Sequence, residues 1–278
     1  TCENPIFIGD IRGDSLTGPD AIKNIKLYEN DTGKSELLKI YSMPQKIEGK
    51  RITNRYIVVV DVGGTREKAD NSVIKVFDRY WLMYPFGALE VAAEWAGHID
   101  HDYLAWKAAA IATFFEDALL VIEANTIESK DRKKKTDAIE FEGDHTFTVI
   151  DELADEYHNL YARKTEQDKV IDKGIPTRYG WNTNKKTKYL AFDYYTSRLR
   201  DREFIERSQD AVNEMGWFER KSDGTIGAVI GKRDDRLICN AVGTYVAFEE
   251  MDVPKIIEIK KQETKSLRQK KSVGAAGF

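Results

Sequence analysis

Tyr56-Ile57-Val58-Val59-Val60-Asp61-Val62-Gly63-Gly64 is the stretch on which the fold turns. From Tyr56 to Val60 the run is apolar without interruption and mostly β-branched, so it shows neither the 3.6-residue period of an amphipathic helix nor the alternation of a half-exposed strand. A short unbroken run of this kind is a strand buried on both faces. It stops at a carboxylate followed by a glycine-rich turn, which sets Asp61 at the mouth of a buried strand.

Downstream, Ser72 to Tyr80 and Trp81 to Trp95 are two further strand-like stretches. The short connection between them predicts antiparallel neighbours, and with the first strand they make a meander. The period then changes: Leu104, Ala108, Ile111 and Phe115 recur at i, i+4, i+7 and i+11, which predicts a helix with Asp100 or Asp102 as N-cap. Ala118 to Ile122 is a second apolar strand, and because a helix precedes it, a parallel crossover beside residues 56–60 is the economical topology. This strand ends at Glu123-Ala124-Asn125. The fold class expected is α/β, a mixed central sheet flanked by helices.

The remainder is arranged around that unit. Residues 1–50 mix short apolar stretches with turn residues (Gly9, Gly13, Gly18, Pro19, Gly33) and predict a hairpin-like lead-in. Lys130 to Lys135 is a charged cluster, read as an exposed loop, and Ile150, Leu153, Ala154, Tyr157 and Tyr161 share one face of a helix. Helices are expected near 184–200 and 207–215, a small hairpin around Ser222-Asp223-Gly224 and residues 226–230, and a last helix from Asp234 with Ile238, Ala241, Val242 and Tyr245 inward. The main domain is thus 51–254, followed at 255–278 by a Lys- and Arg-rich tail expected to be partly disordered.

Composition excludes several classes. With 278 residues, 41% of them hydrophobic, the chain supports a sizeable core, while a net charge of −4 argues against a protein that coats nucleic acid. Any DNA contact must come from local patches. Cys2 and Cys239 offer no disulfide framework or CxxC site, and His98, His101, His145 and His158 show no zinc-binding spacing. No GxSxG elbow is present. Thr32-Gly33-Lys34-Ser35 lacks the leading glycine of a phosphate loop, because Tyr28 stands in its place, so ATP hydrolysis is not expected. No apolar run approaches the roughly 20 residues of a membrane span, so a soluble, cytoplasmic protein with no membrane partner is expected. The first residue, Thr1, and the small-residue end Gly274 to Phe278 suggest a piece excised from a longer chain.

Asp61 and Glu123 each end a buried strand, and the proposed topology makes those strands adjacent and parallel. Neighbouring strands lie about 4.8 Å apart, so both carboxylates can share one cation. Carboxylates that close repel unless a cation or proton neutralises them, and an oxygen-only donor set favours Mg²⁺ or Mn²⁺. Asp234 or Asp235, at a helix start, would complete a cluster for two ions about 3.5–4 Å apart, the geometry of in-line phosphodiester hydrolysis. Asp70 reaches the same rim. Each acid also has a plainer reading, Asp61 as the start of a turn and Asp234 as an N-cap. Glu123 is harder to explain away, since an acid at the end of a buried strand is costly without a partner.

Three segments carry a resemblance: "YIVVVDVGGTREKADNSVIKVFD" from Tyr56, "HIDHDYLAWKAAAIATFFEDALLVIEANT" from His98 and "GKRDDRLICNAVGTYVAF" from Gly231. Together they resemble the acidic motifs of the nuclease domain of phage terminase large subunits, over roughly residues 50–250. The resemblance implies a ribonuclease H-like fold and an endonuclease that cuts concatemeric double-stranded viral DNA with two metal ions. Its metal-binding acids fall on Asp61, Glu123 and the Asp234/Asp235 pair, with Asp70 as an accessory. It further implies a phage or prophage origin, action in the bacterial cytoplasm, and a portal protein, a small terminase subunit and a packaging ATPase domain as partners. That ATPase is not found in this chain. Arg233 also stands where many relatives have His.

DNA contacts are expected from Lys185, Lys186 and Lys188, from Arg198, Arg200 and Arg202, and from Lys232, Arg233 and Arg236 beside the acids. Tyr179, Trp181, Tyr194 and Tyr195 are read as core or interface packing ahead of base stacking. Two other functions fit parts of the sequence. Asp61-Val62-Gly63-Gly64-Thr65 resembles the first phosphate turn of actin-like sugar kinases, although no second phosphate loop or adenosine-binding glycine cluster follows. A non-catalytic DNA-binding or portal-docking module is the third reading.

Overall fold

Five consecutive apolar residues form a strand only if both faces can be covered, and the architecture follows from that demand. The computed structural model describes residues 2–29, 36–64, 70–123, 145–163, 179–222 and 224–258. The Thr32–Ser35 motif, the Lys130–Lys135 cluster and residues 259–278 of the tail lie outside them.

In chain order the strands are β1 (Phe7–Arg12), β2 (Lys26–Glu29), β3 (Leu38–Ile40), β4 (Lys50–Thr53), β5 (Tyr56–Asp61), β6 (Ser72–Asp78), β7 (Leu89–Gly97), β8 (Leu119–Ile122), β9 (Phe204–Ile205), β10 (Phe218–Arg220), β11 (Ile226–Ala228) and β12 (Lys255–Glu258). The α-helices are α1 (His101–Phe114), α2 (His145–Leu153), α3 (Lys185–Arg200), α4 (Gln209–Met215) and α5 (Asp235–Tyr245). The central sheet runs β2-β1-β3-β7-β6-β5-β8, with β9 beside β7. β5, β6 and β7 form the antiparallel meander. β8 returns through α1 to lie parallel to β5, pairing Ile57 with Leu119 and Val60 with Ile122. The mixed central sheet flanked by helices is therefore as expected.

Alternation along the strands divides the core in two. Val58, Val60, Ile74, Val76, Leu120 and Ile122 face one layer, with Leu104, Ala108 and Ile111 of α1 and Val149 and Leu153 of α2. Ile57, Val59, Val73, Phe77 and Val121 face the other, against Phe192 and Tyr195 of α3 and Leu237, Cys239 and Val242 of α5. α5 sits close to the sheet because Gly243 has no side chain: a Cβ there would come within 2.5 Å of the Phe77 ring.

Several elements differ from the sequence reading. The N-terminal segment does more than lead in: its strands β1, β2 and β3 join the main sheet, since β1 pairs with both β2 and β3, and β3 pairs with β7. Lys255–Glu258, the start of the basic tail, pairs with β4 as strand β12. Trp81 to Trp95 is not one strand: a 3₁₀ turn covers Tyr80–Met83, and β7 starts only at Leu89. Phe86 adopts a left-handed backbone with φ of 60°, and Gly87 lies so near the Trp81 carbonyl that a Cβ would be 1.7 Å from its oxygen. α2 ends at Leu153, before Tyr157 and Tyr161. Both tyrosines still turn inward, because the Tyr157 hydroxyl donates to the Ala118 carbonyl and the Tyr161 amide to the Leu120 carbonyl. Among the described residues no helix is long and apolar enough to cross a membrane.

Candidate active site

Strand parity brings the acids together. On β5, Ile57 and Val59 face α5, so Asp61 two residues on faces it too. On β8, Val121 faces α5 and Glu123 follows with the same parity, while its amide donates to the Val60 carbonyl at 2.8 Å. The two carboxyl groups are hydrogen-bonded to each other. Glu123 is 2% exposed and Asp61 is half-buried. Burial first, then the charge and hydrogen bond of Glu123, then Asp235 and Asp234, push the Asp61 carboxyl well above the usual carboxylate range. Asp61 therefore keeps its proton to a higher pH than an isolated aspartate would.

α5 delivers the second tier. Asp234 stands at the N-cap position, yet its side chain makes no capping hydrogen bond, which removes the plainer reading of that residue. Its Oδ2 lies 3.3 Å from the Lys188 ammonium of α3 instead. Asp235 is buried and accepts from the Asn71 amide at 3.2 Å. Burial, followed by Asp70, Glu214 and Asp234, raises its carboxyl to about 7, with Arg233 opposing. Asp70 is exposed at the rim, and its backbone carbonyl accepts from the Gly64 amide.

The turn after Asp61 is tightly held. Gly63 donates to Ser72 Oγ and Gly64 to the Asp70 carbonyl, so neither amide is presented to a nucleotide phosphate as the sugar-kinase reading requires. Thr65 of that motif lies outside the described residues. A Cβ on Gly63 would come within 2.3 Å of the Asp70 carbonyl oxygen, so glycine is needed there. His98 and His101 also hold this turn, with ring nitrogens 3.2 Å from the Gly64 carbonyl and 3.1 Å from the Gly63 carbonyl.

Beneath the acids is a charged network that sequence reasoning missed. Lys75 of β6, fully buried, pairs with Glu206 at 2.8 Å and Glu94 at 3.3 Å. Arg236 joins Glu94 at 2.8 Å and Glu214 at 2.7 Å. Burial opposes the charge on Glu94, but Lys75 and Arg236 outweigh it and hold the carboxyl below its ordinary range. Arg236 therefore departs from its expected role: its guanidinium points inward and fastens the first turn of α5 to β7 and α4. It is a positioning residue for Asp234 and Asp235. No sequence signal marks it, because its partners are distant in the chain.

The other expected DNA contacts divide. Lys185 and Lys186 are exposed in the first turn of α3, and Lys232 is exposed with its ammonium 4.7 Å from the Trp217 ring centroid. Arg233 is half-buried, and its carbonyl accepts from Trp217 Nε1. Arg198 is bound to Glu203 and Tyr194 and lies over Phe248, which gives it a packing role. Trp181 and Tyr195 are buried in the core, and Trp181 packs on Tyr245.

Among the described residues no group of three or more His, Cys, Asp and Glu side chains stands close enough to hold an ion as placed. Asp61 and Glu123 form a contacting pair, and Asp234 and Asp235 act on Asp61 through their charge. An oxygen-only pair of adjacent carboxylates, with the Asp61 carboxyl raised by its acidic neighbours, fits a hard divalent cation, which would relieve that repulsion. A cavity of about 470 Å³ lies at the opposite end of β5 and β8, lined by Arg55, Glu116 and Asp252 among others, and is separate from the acids.

No family profile matches the sequence, and no curated protein matches it. Among solved structures the chain is similar to the large terminase nuclease from thermophilic phage G20c, with 12% identity and a TM-score of 0.40, over 74% of this chain and 92% of that one. Function is therefore read from the acids and the strands that carry them.

Proposed function

We propose that this chain is a metal-dependent endodeoxyribonuclease with a ribonuclease H-like fold, of the kind that cuts concatemeric viral DNA during genome packaging. The observation that carries the reading is the contact between Asp61 and Glu123 at the adjoining ends of two parallel, buried strands, with Asp234 and Asp235 facing them from α5. The strand arrangement supports the fold name: an antiparallel β7-β6-β5 meander is followed by β8 parallel to β5. Asp61, Glu123, Asp234 and Asp235 would hold Mg²⁺ or Mn²⁺, with Asp70 at the rim.

Two such ions, when bound, supply an activated water and charge stabilisation at the leaving oxygen. The chain's own contribution is to orient and to bind. Asp61 gives up the proton that its raised carboxyl retains, Arg236 fixes the start of α5, and Lys185, Lys186, Lys188, Lys232 and Arg233 bind backbone phosphates. In this reading the substrate is double-stranded DNA in a bacterial cytoplasm, and a portal protein, a small terminase subunit and an ATPase domain are the partners.

Nicking of supercoiled plasmid in Mn²⁺ or Mg²⁺ tests the activity. The wild-type chain should convert supercoiled to open-circular DNA, and Asp61→Ala or Glu123→Ala should remove that conversion. Equal nicking by Asp61→Ala would sink the proposal, as would wild-type protein inert with both ions. Salt-sensitive DNA binding without nicking would favour the non-catalytic module.

A further inference from the structure

Lys188 and Lys221 come together beside Asp234 in a way that the general reading of basic residues does not capture. A methyl group placed on Gly227 of β11 would lie 3.4 Å from Asp234 Oδ2 and 3.9 Å from both Lys188 Nζ and Lys221 Nζ. The two ammonium nitrogens are therefore no farther apart than twice that second distance, and both lie beside a glycine whose missing side chain leaves room next to them. Lys188 is paired with Asp234, its side chain 24% exposed. Lys221 follows β10 and is exposed.

The elements that carry these lysines are fixed to one another. Phe192 of α3 stacks on Phe218 of β10 at 4.4 Å with planes 12° apart, and Arg220 lies over the Tyr189 ring at 5.5 Å. The start of α3 is set by a capping box between Asn184 and Thr187. Trp217 Nε1 donates to the Arg233 carbonyl at 3.0 Å, which ties the hairpin to the entry of α5. Two ammonium groups near one carboxylate, with only Lys188 paired to it, leave a local surplus of positive charge.

We propose that Lys188 is a built-in counter-ion of Asp234 that moves to a DNA phosphate, seated between it and Lys221 over Gly227, when a divalent cation takes the Asp234 carboxylate. This rests on the nuclease reading. Lys188 and the cation compete for the same oxygens, so Lys188 opposes cation binding without DNA and favours DNA binding once the cation is present. Lys221, which has no share in Asp234, strengthens DNA binding in either condition.

The test compares wild type, Lys188→Met, Lys221→Met and Asp61→Asn. Mn²⁺ affinity without DNA is read from the electron paramagnetic resonance signal of free Mn²⁺. Affinity for a short duplex is read by fluorescence anisotropy, once in chelator and once in Ca²⁺. Lys188→Met should tighten Mn²⁺ binding about two- to fivefold, the range expected for release of one partly exposed ion pair. It should weaken duplex binding about three- to tenfold in Ca²⁺ but less than about twofold in chelator. Lys221→Met should weaken duplex binding in both conditions and leave Mn²⁺ affinity unchanged. Unchanged or weaker Mn²⁺ binding by Lys188→Met, or an equal loss of duplex affinity in the two conditions, overturns the exchange. If wild type binds no Mn²⁺, or Asp61→Asn binds it equally well, the nuclease reading falls and takes the exchange with it. Mn²⁺ binding that needs Asp61 but ignores Lys188 removes the exchange alone.

Discussion

Asp235→Asn should make the fold less sensitive to pH. In the folded chain the Asp235 carboxyl titrates at about 7, against 3.8 for an unperturbed aspartate, because it is buried and faces Asp70, Glu214 and Asp234. A folded-state pKa above the unfolded one means that the unfolded chain ionises first. Stability is then greatest below about pH 4, falls as pH rises, and is fully lowered only above about 7. About three pH units at about 1.4 kcal/mol each set a ceiling of roughly 4 kcal/mol. About two of those units lie between pH 5 and 8, worth roughly 2.7 kcal/mol, and relaxation and water entry around a buried charge reduce that to about 1–2 kcal/mol. Asn preserves the side-chain oxygen that accepts from the Asn71 amide, so the substitution removes the ionisation and little else. Urea denaturation in chelator at pH 5, 6, 7 and 8 measures the effect. Asp61 drives wild-type stability in the same direction, so the informative quantity is the difference between wild type and variant. Asp235→Asn should gain on wild type by that amount across the range; parallel stability–pH curves for the two proteins would refute the reasoning.

Other outcomes follow from the packing and the surface. Arg236→Met leaves Glu94 and Glu214 as buried acids without their guanidinium, and should cost about 3–5 kcal/mol in denaturant unfolding. Because that side chain points inward, the salt dependence of DNA binding by whatever fraction remains folded should be unaltered. Gly243→Ala puts a Cβ within 2.5 Å of the buried Phe77 ring and should destabilise by about 1–3 kcal/mol, with partial recovery when Phe77→Leu is added. Replacing Lys185 and Lys186 by Ala should lower the slope of log affinity against log salt by about 0.9 for each phosphate no longer neutralised, measured by anisotropy across a salt series.

The part of the fold that places the site was readable because it rests on apolar runs that only a doubly covered strand explains. Tyr56–Val60 and Ala118–Ile122 needed no tertiary information, and the helix between them fixed their parallel order. The strand-end positions of Asp61 and Glu123 were readable for the same reason, since each interrupts such a run at its end. Residues 80–88 misled because aromatic residues suit an exposed turn as well as a strand; only the left-handed Phe86 and the approach of Gly87 to Trp81 decide between them. Tyr157 and Tyr161 continue the apolar period of α2 after the backbone has left the helix, because they fasten the segment to β8. Arg236 looked like a DNA contact from its nearness in sequence to Asp234 and Asp235. Successive helix positions turn by about 100°, which carries it to the inner face where Glu94 and Glu214 wait. Lys221 was unreadable, since its place beside Asp234 depends on how the β10–β11 hairpin packs on α3.

Diffraction from crystals soaked in Mn²⁺, collected at the manganese absorption edge, tests the central claim most directly. The account predicts anomalous density between the Asp61 and Glu123 carboxylates, with a ligand from Asp234 or Asp235. Absence of any peak between Asp61 and Glu123 at high Mn²⁺ would contradict it.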